Sequence, residues 1–279
     1  MLDELYHALD PVAFAIGPLT VRWYGIAYVL GFAFMCLVMW RLAKRWKIRL
    51  DEDALLTIAC CTIVGVIFGA RIGYCLVYGN GYYLAHPLEI LFFNQGGMSF
   101  HGGLCGALIG GVVAARLTGI PYLTLVDMGA IGAPIGLFFG RCANFVNGEL
   151  WGAVTDLPWG VVFGGAAGTM PRHPSQLYEA LLEGVVLFII LFALSRKRPP
   201  RPRGTFIGVF LVFYGIFRFL IEFVRQPDSH IGYLYGDWLT MGQVLSVPLI
   251  VLGVVLIVFA AKRNLPQEGM RVGRAGKGS

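Results

Sequence analysis

The sequence predicts an all-α polytopic integral membrane protein with about seven transmembrane helices and an irregular excursion on its outer face. Of the 279 residues, 57% are hydrophobic and only 14% are charged, whereas soluble domains carry about 25% charged residues. The mean hydropathy is +0.70. The apolar runs are continuous and long enough to cross a bilayer as helices. They do not alternate as the strands of a membrane β-barrel do.

Seven apolar segments can be read along the chain, and loops of different character separate them. They cover residues 12–40, 54–77, 99–116, 122–140, 176–194, 205–223 and 240–261. We therefore expect one membrane domain over residues 1–264 and a basic cytoplasmic tail, predicted to be disordered, over residues 265–279. The loop at about 141–175 is rich in glycine and proline, which predicts the irregular excursion.

The basic residues indicate the orientation of the segments. With seven helices and the N-terminus outside, 16 of the 22 lysines and arginines fall on one side, which the positive-inside rule makes the cytoplasm. These 16 are Arg41, Lys44, Arg45, Lys47, Arg49, Arg116, Arg196, Lys197, Arg198, Arg201, Arg203, Lys262, Arg263, Arg271, Arg274 and Lys277. The net charge of +6 then reflects topology and anionic lipid, and no nucleic-acid partner is expected.

The remaining basic residues are all arginines that lie outside or within the membrane. They are Arg22, Arg71, Arg141, Arg172, Arg218 and Arg225. Because the planar guanidinium group grips phosphate through two hydrogen bonds, we expect anion-binding sites on the outer half.

Glycines repeat at intervals of four residues in three of the central segments. The three ladders are Gly65, Gly69 and Gly73, then Gly102, Gly106 and Gly110, then Gly132, Gly136 and Gly140. Small residues at this spacing let membrane helices approach closely, so helix packing is the expected role.

Several kinds of site and segment are not expected. The acidic N-terminus, which includes Asp3 and Glu4, is unlike a signal peptide. The six cysteines lack metal-ligand spacing and fall in apolar segments, so we expect buried apolar residues, no metal and no cofactor. The chain has neither the His-Glu-x-x-His pattern of a metalloprotease nor a Gly-x-Ser-x-Gly nucleophile elbow.

Polar residues from several segments are predicted to converge on the outer side. His101 begins the third segment, Arg141 to Glu149 follow the fourth, and Arg225 follows the sixth. Polar groups at membrane depth are costly and indicate function. The N-termini of the third and fifth helices would face the same layer and favour an anion there.

Each of these residues also has a structural alternative. His101 is alternatively a partner of the helix N-terminus, and Tyr24 an interfacial anchor. Arg141 has Glu149 as an alternative ion-pair partner, and for Arg218 pairing with Glu222 at i,i+4 is favoured. For Asn144 and Asn147, the alternative is hydrogen bonding to backbone groups that are left unpaired at the helix end. For Glu179 and Glu183, one turn apart, structural hydrogen bonding is favoured over a paired-carboxylate site.

One motif is long enough to indicate a family. Residues 140–152 fit the pattern Gly-Arg-x-(Gly or Ala)-Asn-Phe-x-Asn-x-Glu-x-x-Gly at every specified position. With this motif the sequence resembles the prolipoprotein diacylglyceryl transferases of bacterial inner membranes, and the resemblance covers almost the whole chain. It includes Trp23-Tyr24-Gly25, Ala70 to Tyr74, Gly97 to Leu104, Arg172 to Glu179, Arg225-Gln226-Pro227-Asp228 and Met241-Gly242-Gln243.

The resemblance implies a reaction and a set of site residues. The family transfers diacylglyceryl from phosphatidylglycerol to the thiol of the lipobox cysteine in a prolipoprotein signal peptide, releasing glycerol phosphate and forming a thioether. This is the first step of lipoprotein maturation. Its partners are therefore phosphatidylglycerol, prolipoprotein signal peptides and membrane lipids. Carried over to this sequence, the catalytic residues are His101, Arg141, Arg225 and Tyr24, and the phosphatidylglycerol-binding residues are Arg141, Asn144, Asn147, Glu149, Gly152 and Arg225.

The chemistry of the residues agrees with this reaction but leaves one role open. A thiol with a pKa near 8.5 is mostly protonated at neutral pH and benefits from a base. Histidine is the residue type best suited to that role, which makes His101 the candidate base. Activation of the thiol by an arginine, with His101 structural, is the alternative. A lipid or anion transporter and a noncatalytic scaffold are the competing classes. No inverted repeat supports the transporter, and a scaffold does not explain the outer arginines.

Overall fold

The chain is mostly helical. The computed structural model describes residues 2–17, 19–93, 96–227, 232–236 and 238–270. In this part of the chain, six helices are long and apolar enough to cross a membrane: Trp23–Trp46, Glu52–Val77, Phe100–Thr118, Tyr122–Asn147, Ser175–Ser195 and Met241–Arg263. The predicted multi-pass helical protein is confirmed. A seventh crossing is not, since the apolar helix Thr205–Ile221 has only 17 residues.

The N-terminal region differs from the prediction of one apolar helix over 12–40. A short helix α1 (Leu2–His7) is followed by an antiparallel hairpin of β1 (Val12–Ile16) and β2 (Leu19–Arg22), and helix α2 (Trp23–Trp46) begins only then. The β1 sequence Val-Ala-Phe-Ala-Ile alternates large and small residues, a period of two that suits a strand. The hairpin turn includes Gly17 at φ +58°, a conformation that glycine adopts readily.

One compact unit of the chain comprises Ala43–Val126 together with the described residues from Gln267 on. It contains α3 (Glu52–Val77), α4 (Tyr82–Ala85), a 3₁₀ turn (Pro87–Leu91) and α5 (Phe100–Thr118). Helices α3 and α5 pack along two of the predicted glycine ladders. A Cβ atom added at Gly106 would collide with the Gly65 carbonyl oxygen, and one added at Gly69 would collide with that of Gly102. The packing role predicted for these ladders is confirmed.

Arg71 organises the loop between α3 and α5 within this unit. Its side chain is only 1% exposed. Its three guanidinium nitrogens donate to the carbonyl oxygens of Glu89, Ile90 and Gly96, at 2.6–2.9 Å. Because the group is enclosed and fully engaged with backbone, the prediction that Arg71 binds an anion is wrong.

The other compact unit comprises the residues up to Leu42 together with Asp127–Pro266. After α6 (Tyr122–Asn147) come α7 (Ser175–Glu179), a π-helical stretch (Ala180–Val186), α8 (Leu187–Ser195), α9 (Thr205–Ile221), the strands β3 (Tyr233–Tyr235) and β4 (Leu239–Thr240), and α10 (Met241–Arg263). Segments α7 to α8 form one continuous spanning helix. Helices α9 and α10 pack closely where a Cβ at Gly253 would lie 2.6 Å from the Gly208 carbonyl oxygen.

The third glycine ladder, on α6, has a different character from the first two. A Cβ atom at Gly132 would lie 2.9 Å from Met35 Cγ on α2, which indicates close packing there. The corresponding positions at Gly136 and Gly140 have no atom of the described residues within 4 Å, although a Cβ at Gly31 would lie 3.1 Å from Gly136 Cα. Close helix packing therefore explains Gly132 and Gly136 but not Gly140.

The predicted outer excursion begins later than residue 141. Helix α6 continues through Asn147 and ends where Gly148 adopts φ +66°, so Arg141, Asn144 and Asn147 all lie on a helix. The excursion proper is irregular. Its small core consists of Val161, Phe163 and Ala167 together with Phe145 of α6, packed against Leu2, Tyr6, Trp151 and Leu177.

The chain after α10 is irregular in the part that the structure describes. The carbonyl oxygens of Leu265 and Pro266 accept hydrogen bonds from the Arg203 backbone and side chain, all within the unit that contains α9 and α10. The tail beyond Met270 lies outside the described residues, so its predicted disorder stays a prediction.

Candidate active site

The end of α6 brings together most of the residues of the long motif. Asn144 Nδ2 donates to Glu149 Oε1 at 2.8 Å, and Asn147 Nδ2 donates to the same oxygen at 3.4 Å. The Asn144 side chain is buried. The two amides thus orient the Glu149 carboxylate. The alternative, in which they bond to unpaired backbone groups at the helix end, is wrong for these two donors.

The start of the next spanning helix fixes the turn that carries Glu149. Gln176 Nε2 donates to the Glu149 carbonyl oxygen at 2.6 Å, and Ser175 Oγ donates to that of Leu150 at 3.0 Å. Both side chains are fully buried. Ser175 and Gln176 therefore fix the backbone of this turn through its carbonyl groups. The Glu149 carboxylate is bound by Asn144 and Asn147 instead.

Three arginines converge on Glu179, whose side chain is 0% exposed. Arg141 Nε lies 2.8 Å from Glu179 Oε2. Arg218 Nη1 donates to Glu179 Oε1 at 2.7 Å, and Arg225 Nε lies 3.8 Å from the same oxygen. The alternative pairing of Arg141 with Glu149 is wrong.

Two further carboxylates complete the arrangement. Glu222 Oε1 lies 2.5 Å from Arg218 Nη2, the predicted i,i+4 pair, and accepts from Arg225 Nη1 at 3.2 Å. Glu183, on the π-helical stretch, lies 3.7 Å from Arg141 Nη2. We call the six residues the arginine–glutamate cluster: Arg141, Arg218, Arg225, Glu179, Glu183 and Glu222. Its formal charges balance, three against three.

The arginines of the cluster retain some access to their surroundings, whereas the carboxylates do not. The side chains of Arg141, Arg218 and Arg225 are 18%, 14% and 12% exposed, and that of Glu179 is 0% exposed. The cluster therefore presents guanidinium groups at its accessible side, with the counter-charges behind them. Such an arrangement can receive an anion without a further rearrangement of charge.

Gly152 ties the excursion to the end of α9, where Arg225 lies. Gly152 and Arg225 form an antiparallel bridge, and Ala153 N donates to the Val224 carbonyl oxygen at 2.9 Å. A Cβ atom at Gly152 would lie 2.5 Å from the Val224 carbonyl oxygen and 2.6 Å from His173 Cβ. The close approach explains why glycine stands here.

Arg172 has a structural role in the same region. Its Nε donates to the Ala167 carbonyl oxygen at 2.8 Å, and its Nη1 donates to the Gly152 carbonyl oxygen and to Gln226 Oε1 at 3.2 and 3.1 Å. These bonds join the excursion to the segment after α9. They are bonds to protein groups and not the anion contacts that were expected of Arg172. Asp228, at the end of the Arg225 motif, lies outside the described residues.

His173 follows Arg172 in the chain, just before the spanning helix Ser175–Ser195 begins. Its Nδ1 lies 3.3 Å from the Tyr178 hydroxyl, which in turn accepts a hydrogen bond from Trp159 Nε1 at 2.7 Å. Burial lowers the pKa of the His173 imidazole from its ordinary value. The neutral ring is therefore favoured at pH 7, which suits a hydrogen-bonding role.

The structure does not bring all predicted catalytic residues into one described cluster. Tyr24, in the first turn of α2, packs against Tyr28 with ring centroids 5.2 Å apart. His101 lies in the first turn of α5, in the unit that does not contain the cluster. Its side chain is exposed. The N-cap of α5 is Ser99, whose side chain accepts from Gly102 N, so His101 is not the cap.

Glu179 and Glu222 are not among the site residues predicted from the sequence. The structure places both among the arginines, and Glu179 contacts all three. A signal was present in the sequence. Three arginines at membrane depth need counter-charges, and few acidic residues are available on the outer halves of the same segments.

The two amides on Glu149 allow a matched test. We expect Asn144→Ala to reduce activity by about tenfold, since it removes the short bond to a charged acceptor. Asn147→Ala removes only the 3.4 Å contact and should cost much less. Initial rates of the two purified variants, compared at equal amounts of folded protein, check this. Equal losses would contradict the assignment of Asn144 as the principal orienting residue.

Comparison with known proteins agrees with the motif and its geometry. The family model described as prolipoprotein diacylglyceryl transferase matches residues 11–259. A phosphatidylglycerol–prolipoprotein diacylglyceryl transferase of Geobacter sulfurreducens is 48% identical over 257 residues, which cover 92% of this chain and 97% of that protein. Proteins of the same name from Oleidesulfovibrio alaskensis and Pseudomonas aeruginosa are 49% and 46% identical, over 93% and 94% of this chain and 96% and 97% of their own lengths. The chain therefore belongs to the prolipoprotein diacylglyceryl transferase family.

Proposed function

We propose that this protein transfers the diacylglyceryl group from phosphatidylglycerol to the cysteine thiol of a prolipoprotein lipobox. The observation that carries the proposal is the placement of the long motif. Its arginine joins two others around a buried carboxylate, while its asparagines orient Glu149. The relatives that match over nearly their whole length bear the name of this activity.

The reaction is a displacement at carbon. The thiol sulfur of the prolipoprotein attacks the glycerol carbon that carries the phosphate ester. A carbon–sulfur bond forms, the carbon–oxygen bond breaks, and its electron pair leaves with the oxygen of glycerol phosphate. The thiol proton passes to a base. The products are a thioether-linked diacylglyceryl group and glycerol phosphate, and no oxidant or reductant is needed.

The arginines of the cluster are assigned to the leaving group. Negative charge grows on the phosphate as the carbon–oxygen bond breaks, and guanidinium groups in a site with little water stabilise that charge. Arg141 and Arg225 are assigned this contact. Glu149, held by Asn144 and Asn147, is assigned to hydroxyl groups of the lipid headgroup, and Tyr24 to the phosphate or the peptide backbone. Gly152 contributes by allowing the close approach that places Arg225.

The base is assigned to His101, with activation of the thiol by an arginine as the alternative. An imidazole with an ordinary pKa near 6.5 is suited to accept a thiol proton at neutral pH. The assignment rests on the match of residues 97–104 to the family.

The location proposed is the bacterial inner membrane, with the N-terminus periplasmic, the C-terminus cytoplasmic and the active site on the outer half. Sixteen basic residues on one side support this orientation. It requires an odd number of crossings, which the six long helices and Thr205–Ile221 together supply. A 17-residue helix is about 25 Å long, close to the hydrocarbon thickness of about 30 Å. Residues 265–279 are proposed as a cytoplasmic tail, and no nucleic-acid partner is proposed.

The decisive experiment mixes the purified protein, phosphatidylglycerol and a synthetic lipobox peptide. We expect the peptide mass to rise by the mass of one diacylglyceryl group and a cysteine-to-serine peptide to remain unchanged. A protein that leaves the peptide mass unchanged while labelled lipid crosses the bilayer would instead be a transporter.

The same assay separates the two accounts of thiol activation. We expect His101→Ala to lower turnover by a factor of about 100 or more, a typical contribution of a general base, while phosphatidylglycerol binding is retained. Arg225→Ala should lower both turnover and lipid binding. If His101→Ala keeps near-normal turnover, an arginine activates the thiol and His101 is structural.

A further inference from the structure

The first turn of α10 carries the Met241-Gly242-Gln243 motif, to which the proposed reaction assigns no role. Thr240 is the N-cap residue. Its hydroxyl oxygen accepts from Gln243 N at 3.2 Å, while Gln243 Oε1 accepts from Thr240 N at 3.0 Å. Both side chains are buried. This reciprocal capping box satisfies two backbone donors and holds the turn in one conformation.

The Glu222 carboxylate is hydrogen-bonded to this turn. Thr240 Oγ1 donates to Glu222 Oε2 at 2.5 Å. Because the same hydroxyl accepts from Gln243 N, its only proton is directed at the carboxylate. Glu222 also gains from its place at a helix N-terminus, where negative charge is stabilised.

Gly242 makes room for that carboxylate. A Cβ atom at residue 242 would lie 2.6 Å from each of the two Glu222 oxygens. Any side chain larger than hydrogen would therefore displace the carboxylate from the turn. The space beside Gly242 is the space that Glu222 occupies.

The opposite oxygen of Glu222 faces the arginines. Glu222 Oε1 lies 2.5 Å from Arg218 Nη2 and accepts from Arg225 Nη1 at 3.2 Å. Glu222 itself is only 4% exposed. A continuous line of contacts thus runs from the first turn of α10 through Glu222 to Arg225.

We propose that Thr240 and Gly242 form a carboxylate cradle whose task is to position Arg225 through Glu222. The proposal rests on the proposed function, since Arg225 is the residue assigned to the phosphate. Thr240, Gly242 and Glu222 are positioning residues and touch no substrate. A guanidinium group fixed in direction stabilises growing charge better than one that must be reoriented during the reaction.

Substitutions at Thr240 separate the cradle from the helix cap. Thr240→Ser keeps the cap and the hydroxyl donor and should behave as the unchanged protein. Thr240→Asp keeps the cap, because aspartate is a good N-cap residue, but removes the donor and sets a second carboxylate against Glu222. We expect the turnover number of Thr240→Asp to fall by about tenfold or more, with a change of less than about twofold in the KM for phosphatidylglycerol.

Gly242→Ala tests the same inference by steric displacement. It keeps the hydroxyl and the cap, yet it should lower the turnover number by about tenfold or more, as Thr240→Asp does. Gly129→Ala is the matched control, since a Cβ there has no atom of the described residues within 4 Å. Thermal unfolding in detergent is measured for every variant, so that rates are compared at equal folded fractions.

The outcomes distinguish the two proposals. A wild-type protein that does not modify the lipobox peptide refutes the proposed function, and the cradle proposal with it. A wild-type protein that modifies the peptide supports the cradle if Thr240→Asp and Gly242→Ala lose turnover while Thr240→Ser does not. If both keep normal turnover, or lose it only in proportion to the folded fraction, the cradle proposal is overturned while the proposed function stands.

Discussion

Replacing Glu179 with glutamine is expected to abolish most of the activity, by a factor of about 100 or more. The carboxylate is fully buried and contacts Arg141, Arg218 and Arg225. Glutamine keeps the size but removes the charge and turns one acceptor into a donor that faces guanidinium groups. Removing one partner of a buried ion pair typically costs about 3–5 kcal/mol of stability, so the unfolding midpoint should fall as well.

Glu183→Gln is the matched control for this prediction. The residue lies one turn away and is equally buried, but in the part of the chain that the structure describes it forms one ion pair with the cluster, at 3.7 Å to Arg141 Nη2. Because its contact with Arg141 is longer than a hydrogen bond, we expect its loss of activity to be less than about tenfold. The measurement is lipid transfer to the peptide at equal folded fractions, with unfolding followed in parallel. Equal losses for the two variants would show that buried charge at this depth, and not the contacts of Glu179, is what the activity requires.

The sequence was sufficient to predict the polytopic helical class and the local pairs. Continuous apolar runs and the scarcity of charge follow directly from the bilayer as solvent. The Arg218–Glu222 pair follows from helical spacing. The α3–α5 contact follows from two glycine ladders whose members face each other.

The contacts of Glu179 could not be predicted in the same way. Its partners Arg141 and Arg218 lie 38 and 39 residues away along the chain, on other helices. Which arginine meets which glutamate depends on the rotation of each helix about its axis, and helical spacing alone does not determine that rotation. The spacing of Glu179 and Glu183 showed that both share a face, but not that the face is lined with arginines.

Arg71 and Arg172 have roles that the composition of the sequence does not predict. Both are arginines outside the predicted cytoplasmic side, and on that ground both are predicted to bind anions. In the structure their guanidinium groups donate hydrogen bonds to backbone carbonyl oxygens of irregular loops. Exposed carbonyl groups and phosphate attract the same donor, so composition cannot separate the two roles. The distinction comes from the loop conformation, which depends on glycines at positive φ such as Gly96 and Gly97.

Gly152→Ala is expected to have an effect comparable to that of Glu179→Gln. The added Cβ would meet the Val224 carbonyl oxygen at 2.5 Å and the His173 carbonyl oxygen at 2.7 Å. Both are backbone atoms in hydrogen-bonded segments, because Ala153 N donates to the Val224 oxygen and Gly152 N donates to the His173 oxygen. Relief therefore requires a shift of the backbone and not a rotation of a side chain.

The shift reaches the cluster because Gly152 bridges directly to Arg225. A displacement of about 1 Å at a catalytic group can lower the rate by about 100-fold, so we expect a loss of that order for Gly152→Ala. The loss should lie mainly in turnover, with the spanning helices unaffected in circular dichroism. Gly129→Ala, whose Cβ has no neighbour within 4 Å in the described residues, should retain normal transfer in the same assay. A Gly152→Ala protein with normal turnover would mean that the bridge yields without moving Arg225, and that the position of this arginine is set by its carboxylate partners alone.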